Sequence, residues 1–442
     1  MTELPVVVVG AGPVGLAAAV ELAERGLPTL VLERGRQAGA AVAQWQHVRL
    51  FSRWAELVSP AAGRLLESHG WQRPELDSYP TGAEWVRHYL RPLADALGDQ
   101  VRLGAEVIGV ARRGRDRVVD AGRDSEPLTV HVRTGDGEER ISARAVVDAS
   151  GTWGSPNPLG GDGLPAVGEA VAADQIAYRI PDVADDAVAA RYAGRHVVVA
   201  GSGHSALTAL VAFARLAERH PATKITWLLR RGAVGSVFGG GEADQLPARG
   251  ALGMRAKTAV EAGHIAVVAG FRAEAVERGV DGRLMLRSAN GQSVSAVDEV
   301  VALAGFSPDL SWLSEVRLDL DATLQAPVAL APLIDPNVHS CGTVYPHGAK
   351  ELAHPEPGVF LAGMKSYGRA PTFLAMTGYE QVRSIAAELV GDRESAERVE
   401  LVLPETGVCG GSGLFDAEDQ AEGGCCAAPV GPHILSLSMT RD

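Results

Sequence analysis

Three glycines near the start of the chain carry the clearest chemistry. In Gly10-Ala11-Gly12-Pro13-Val14-Gly15 the first permits a tight turn, the second lets a pyrophosphate approach the backbone, and the third lets a helix pack on its strand. Glu33 closes the next apolar run, where a carboxylate can accept hydrogen bonds from ribose hydroxyls, and Arg34 follows it. A second turn, Gly201-Ser202-Gly203-His204-Ser205-Ala206, repeats the pattern with Ala206 in the third place, a variant that still allows close packing. The acid is replaced there by Arg230-Arg231. Guanidinium pairs with a ribose 2′-phosphate that a carboxylate would repel, so this second turn is expected to prefer NADPH. The alternative, two solvated surface charges, stays open at this point.

These residues need elements to hold them. Val6–Val9 is a continuously apolar run of the kind that forms a buried parallel strand. The spacing predicts a helix from Pro13 to about Arg25, with Gly26 beyond its end, and a strand over Thr29–Leu32. The second turn sits between a strand at His196–Ala200 and a helix to about His220, followed by a strand over Lys224–Leu229. Each unit is followed by a small meander. In the first, Val101–Val110, which includes Val107, and Leu128–Arg133 precede a Gly-Asp-Gly turn at 135–137, and Ala145–Asp148 leads to Gly151. In the second, His264–Val268 and Arg283–Arg287 precede Asn290-Gly291, a strong hairpin signal, and Val300–Ala304 leads to Gly305. This internal repeat predicts an α/β fold with two Rossmann-like dinucleotide-binding domains, the second inserted in the first. The expected limits are 1–158 and 308–402 for the first domain, 159–307 for the second, and 403–442 for a flexible tail.

With both turns in place, the chain resembles the two-dinucleotide-binding flavoproteins up to about residue 392, and within them the flavin-containing monooxygenases, including flavoproteins found beside metal and arsenic resistance genes. The segments that carry this are Gln44-Trp45-Gln46-His47-Val48-Arg49-Leu50-Phe51-Ser52, Tyr79-Pro80-Thr81-Gly82 leading into a helix through Leu97, Ala149-Ser150-Gly151, the run from Leu303 to Asp309 around Gly305, and Gly358 to Gly363-Met364. The resemblance implies FAD on the first turn, with Arg34, Val107 and Gly151 among the residues expected to bind it, and NADPH on the second. It places Trp45 and Arg49 over the flavin, and Gly363 and Met364 on the late flavin-binding strand. Reductase relatives carry Asp where this chain has Met364. Residues 363–371 read as a loop, and Thr372–Val390 as a helix with Pro371 in its first turn. In relatives that helix points its positive end at the flavin, and Lys365 and Arg369 would add to the charge there. Arg49, Lys365 and Arg369 are therefore the expected catalytic residues; for Lys365 and Arg369, a role as plain surface cations is the alternative.

Two absences narrow the chemistry. Flavin-containing and Baeyer–Villiger monooxygenases carry FxGxxxH before the second turn, whereas residues 152–195 hold no Phe and no His. Disulfide reductases of the glutathione and thioredoxin type need a cysteine pair beside the flavin, and the first cysteine here is Cys341.

The tail has a different character. It is rich in Gly and acidic residues and contains Cys409, Cys425 and Cys426. Thiolates suit soft metals and metalloids, a vicinal pair can cycle between dithiol and disulfide, and mercuric reductase has a similar C-terminal pair. Arsenite or an organoarsenical is the first expected ligand; incidental thiols are the alternative. The net charge of −13 argues against nucleic acid as a partner. The apolar stretch Val6–Val20 is interrupted by three Gly and a Pro, too short for a bilayer span, and the N-terminus lacks a basic start; a soluble cytoplasmic protein acting on a small-molecule or metalloid substrate is expected. The expected function is an FAD-dependent oxidoreductase that takes hydride from NADPH, monooxygenase-like and acting in metalloid resistance. The alternatives are a thiol or metalloid reductase using Cys425-Cys426, and a non-enzymatic flavin redox sensor or metalloid carrier.

Overall fold

A computed structural model describes residues 3–401 except 233, 245, 338–346 and 372. The strands, in chain order, are β1 (Val6–Val9), β2 (Thr29–Glu33), β3 (Val101–Leu103), β4 (Glu106–Arg112), β5 (Leu128–Thr134), β6 (Gly137–Ala143), β7 (Ala145–Asp148), β8 (Ile176–Ala177), β9 (His196–Ala200), β10 (Lys224–Leu228), β11 (Ala266–Val268), β12 (Ala273–Arg278), β13 (Leu284–Ser288), β14 (Ser293–Val297), β15 (Glu299–Ala302) and β16 (Val359–Leu361). They form two five-stranded sheets, β16-β7-β1-β2-β3 and β11-β10-β9-β15-β8, and two three-stranded sheets, β4-β5-β6 and β12-β13-β14. Pairing in both large sheets is parallel, and both small sheets are antiparallel meanders. This is the mixed α/β, doubled-Rossmann fold that the repeat implied.

The central strands are apolar because both of their faces are covered. Val6, Val7 and Val8 of β1 and Val197, Val198 and Val199 of β9 are fully buried, each such side chain stabilising the fold by about 1.5–3 kcal/mol. The helix Pro13–Glu24 packs its small residues Ala17, Ala18 and Ala19 into the same core as Val6, Val8 and Val31. The helix His204–Arg219 does the same over Val197, Val199 and Ile225.

Some expectations are corrected. Val101–Val110 is not one strand. It breaks at Gly104-Ala105, whose N–H groups donate to the Gly35 and Glu33 carbonyls; β3 stays in the parallel sheet while β4 opens the meander. The late helix spans Ala375–Leu389 rather than Thr372–Val390, so Pro371 is not in its first turn, and Gly363–Tyr367 is a short 3-10 helix instead of a loop. The helix Pro247–Glu261, between β10 and β11, is an addition to the expected elements: it buries Leu252, Ala256 and Ala259 in the second core, together with Arg249, Gly250 and Gly253. Gly82–Leu97 is helical as expected, with a π turn over Val86–Leu90 just ahead of Pro92, which has no N–H to donate. Among the described residues no helix is long and apolar enough to cross a membrane. All four cysteines, and with them the tail reading, lie outside the described residues.

Candidate functional site

The two glycine turns have nearly the same shape. Gly12 caps the helix Pro13–Glu24 with φ −82° and ψ −175°. Gly203 caps the helix His204–Arg219 with φ −84° and ψ 177°. Neither helix has a side-chain cap or an acidic residue in its first turn, so the N–H groups and the positive dipole end are left for an anion. A Cβ built on Gly12 or on Gly203 meets nothing within 4 Å; a phosphate can occupy that open space. The preceding glycines are different. Gly10 (φ +97°) and Gly201 (φ +134°) lie in the left-handed region, and a Cβ there would meet Ala149 O at 3.0 Å and Leu303 O at 2.3 Å. Each turn is thus pressed against the return strand of its own sheet, a placement that a side chain would forbid. A Cβ on Gly15 would sit 1.9 Å from Gly10 O. The second turn accommodates the fully buried Ala206 at the matching place.

Glu33 is buried at the end of β2. Its Oε2 accepts from Ala11 N at 2.8 Å and its Oε1 from Gly35 N at 2.7 Å. It therefore braces the first turn, while each oxygen keeps a lone pair for a hydroxyl. Arg34 is exposed, with Nη2 3.0 Å from the place of a Gly154 Cβ. Val107 is a core residue of β4. Gly151, at the end of β7, has φ +67°.

At the second turn Ser202 and Gly203 are exposed, and His204 and Ser205 are half-buried. The strand end carries a basic group: burial and the neighbouring Arg272 push Arg230 below the ordinary guanidinium range, and burial and Arg230 do the same to Arg231. Mutual repulsion of this kind is relieved by a dianion. Burial, then Arg249, push His204 down to about 4, so it is neutral at physiological pH. Arg249 is itself held by Asp244, with Nη2 2.7 Å from Oδ1 in a buried pair, an arrangement that sequence spacing did not reveal.

The segment Gln44–Ser52 lies between the two turns. Gln44 Oε1 accepts from Trp153 Nε1 at 2.9 Å, two residues beyond Gly151. Trp45 packs on the first core. Burial pushes His47 below its ordinary range, and its Nε2 is buried without a hydrogen-bond partner. Phe51 packs against His204, with ring centroids 5.2 Å apart and planes tilted by 59°. Arg49 is exposed, with Nη1 donating to the Tyr79 carbonyl and lying 3.9 Å from Glu84 Oε2.

The late segment is tied down from inside. Gly363 N donates to Gln381 Oε1 at 2.8 Å, and Gln381 Nε2 donates to Ser366 Oγ at 2.9 Å. Met364 is half-buried beside Gly363. Lys365 is not a surface cation: it is 1% exposed, and its Nζ lies 2.7 Å from Asp148 Oδ2. Its charge therefore has a counter-ion within the protein. Arg369 is exposed and donates through Nε to Gln325 Oε1 at 2.9 Å. Among the described residues no group of three or more His, Cys, Asp or Glu could hold a metal ion.

Comparison with known proteins fits this doubled architecture. The bacillithiol disulfide reductase Bdr (YpdA) of Bacillus cereus superposes with a TM-score of 0.64 at 19% identity, covering 88% of this chain and 99% of that one. A flavin-containing monooxygenase of Stenotrophomonas maltophilia superposes at 0.55 with 23% identity, covering 88% and 99%. In sequence, the chain is 33% identical over 202 residues to indole-3-pyruvate monooxygenase YUCCA1 of Oryza sativa subsp. japonica; the match spans 46% of this chain and 43% of that protein. The family match runs over residues 7–331, from β1 through both glycine turns. With that match, and with two glycine turns of similar backbone angles, the chain belongs to the pyridine nucleotide-disulphide oxidoreductase family.

Proposed function

We propose that the protein is an FAD-dependent oxidoreductase that takes hydride from NADPH. The observation that carries this reading is the pair of helix N-termini capped by Gly12 and Gly203, alike in backbone angles and both open at the Cβ position, with the segment Gln44–Ser52 touching the surroundings of each. In this reading Gly12, Pro13 and the N-terminus of their helix hold the FAD pyrophosphate, and Glu33 holds its ribose. Gly203, His204 and Ser205 hold the NADPH pyrophosphate, and Arg230 with Arg231 holds the 2′-phosphate. The chain divides into 1–158 with 308–402 for FAD, 159–307 for NADPH, and 403–442 as a tail. FAD, when bound, supplies a two-electron acceptor for the nicotinamide hydride. The protein's own part is to bind, to orient and to exclude water. His204, being neutral, adds no charge at the second turn, and Phe51 covers it with an apolar ring.

The test is anaerobic mixing of the flavin-loaded protein with NADPH or NADH, followed by flavin absorbance. Rapid bleaching with NADPH and slower bleaching with NADH is the expected result; no bleaching with either overturns the reading. Admission of oxygen then separates two fates of the electrons. A monooxygenase yields oxygenated product only with oxygen. A thiol or metalloid reductase, the reading favoured by the adjacent Cys425 and Cys426, turns over without it and loses turnover in Cys425→Ser.

A further inference from the structure

Lys365 and Asp148 are 1% and 0% exposed, and Nζ lies 2.7 Å from Oδ2. A buried pair of this kind is costly to form and gives little net stability against an apolar replacement. Its surroundings indicate what it does. Asp148 ends β7 and Lys365 follows β16, and these strands are neighbours in register, Leu361 opposite Asp148. The other carboxylate oxygen, Oδ1, accepts from Ser150 N at 3.0 Å and from Ser150 Oγ at 2.6 Å. Lys365 Nζ also donates to Ser150 Oγ at 3.0 Å and lies 4.7 Å from the centroid of the Trp312 ring, a face that favours a cation. The other charges on this group are Asp309 and Arg34; hydrogen bonds from Ser311, then Lys365 and Arg34, hold Asp309 below the ordinary carboxylate range.

Both segments joined by the pair press on the first glycine turn. Ser150 Cα and Ala149 O each lie 3.0 Å from the place of a Gly10 Cβ. Gly363 would place a Cβ 3.3 Å from Val14 Cγ2, on the first turn of the helix Pro13–Glu24. A charge pair that joins the two walls of a phosphate cradle fixes the width of that cradle.

We propose that Asp148 and Lys365 are positioning residues for the dinucleotide bound at Gly10–Gly15: their mutual neutralisation locks the Ser150 and Gly363 turns against the cradle and so sets FAD affinity, without touching the reacting atoms. This rests on the FAD reading above. It assigns Lys365 a role behind the pyrophosphate turn in place of direct charge at the flavin ring.

The experiment measures the FAD dissociation constant, by release of flavin fluorescence, across mildly acidic to mildly alkaline pH. The proteins are the unmodified chain, Lys365→Met, Asp148→Asn and the double variant. Each single change leaves one buried charge without its partner, which should weaken FAD binding by about tenfold or more. The two pH responses should have opposite sign. Lys365→Met should recover affinity as pH falls, because a proton neutralises the stranded carboxylate. Asp148→Asn should recover it as pH rises, because the stranded ammonium loses its proton. The double variant carries neither charge and should regain most of the affinity with no pH dependence. If one single variant does not fold, the other and the double variant carry the same test. Unchanged affinity in the single variants, or the same pH response in both, overturns the proposal. An unmodified protein that binds no FAD at all overturns the underlying FAD reading, a result visible before any variant is compared.

Discussion

Gly12 and Gly15 are three positions apart and should respond oppositely to substitution. The Cβ place on Gly12 is open, whereas on Gly15 it lies 1.9 Å from Gly10 O. Gly12→Leu should therefore fold with near-normal stability yet lack FAD, since its side chain fills the phosphate's place; flavin content against melting temperature checks this, and a folded variant with full flavin would refute the assignment. Gly15→Leu should fail at folding itself. At the second turn, a charge-assisted guanidinium–phosphate contact is worth roughly 1.5–3 kcal/mol, or about tenfold to a hundredfold in affinity. Arg230→Ala with Arg231→Ala should remove most of the preference for NADPH over NADH, measured as the ratio of flavin-reduction efficiencies; equal use of both cofactors by the unmodified protein would show the arginines to be structural. Two half-buried histidines add a pH effect. His204 and His354 are each pushed from 6.5 down to about 4, chiefly by burial, so the unfolded chain binds their protons more readily than the native one. Stability should be full above pH 6.5 and decline as pH falls towards 4, by up to about 3 kcal/mol for each histidine. Chemical denaturation in the two variants His204→Gln and His354→Gln, which should flatten this slope, is the check.

Among the elements, the meander β4-β5-β6 is fastened to β16 by a buried ionic group. Glu356, 1% exposed, accepts from Arg112 Nε at 2.6 Å and from Arg123 Nη2 at 2.6 Å, and both arginines are nearly as buried. The partners are 244 and 233 residues distant in sequence, so no local pattern pairs them. Removing the carboxylate leaves two guanidiniums buried together. Glu356→Ala should cost about 3–5 kcal/mol, read as a fall in melting temperature of the apo and flavin-bound protein alike. A loss confined to the flavin-bound form would mean that Glu356 serves the site and not the scaffold. The helix Pro247–Glu261 shows a different kind of tie. A Cβ on Gly253 would lie 1.8 Å from Phe238 O and one on Gly250 2.1 Å from Gly241 O. Its glycines are there for close backbone approach beside the buried Leu252, Ala256 and Ala259.

For the whole molecule, the described residues end at 401, and both parallel sheets are complete by β16. A chain ending near residue 403 should bind FAD and be reduced by NADPH at the rate of the full chain, with any thiol-dependent turnover lost. Single-wavelength flavin reduction in the two proteins makes the comparison, and loss of flavin on truncation would show that the last segment packs as structure. The charge of −13 at pH 7 acts at the same scale. It disfavours a polyanionic partner and makes the basic cluster of Arg230, Arg231 and Arg272 a local exception, so NADPH affinity should weaken as salt rises and screening grows.

What the linear chain determined by itself was local and periodic. Four consecutive valines before Gly10, a helix between Pro13 and Gly26, and the same order repeated around Gly201 dictate two buried parallel strands, each ending in an open helix N-terminus, because each of these features is written within one short stretch of adjacent residues. The tertiary structure alone decided which charges meet. Lys365 reads as a free cation in sequence and becomes the counter-ion of Asp148, 217 positions away by their numbers. Glu33 reads as a ribose acceptor and also braces the Ala11 and Gly35 amides. Phe51, from a segment that resembled a flavin cover, meets His204 of the second glycine turn. The physical reason is the range of the forces. Turn sterics and hydrophobic periodicity are written in adjacent residues, whereas the pairing of buried charges and rings depends on which strand ends the folded sheets bring together.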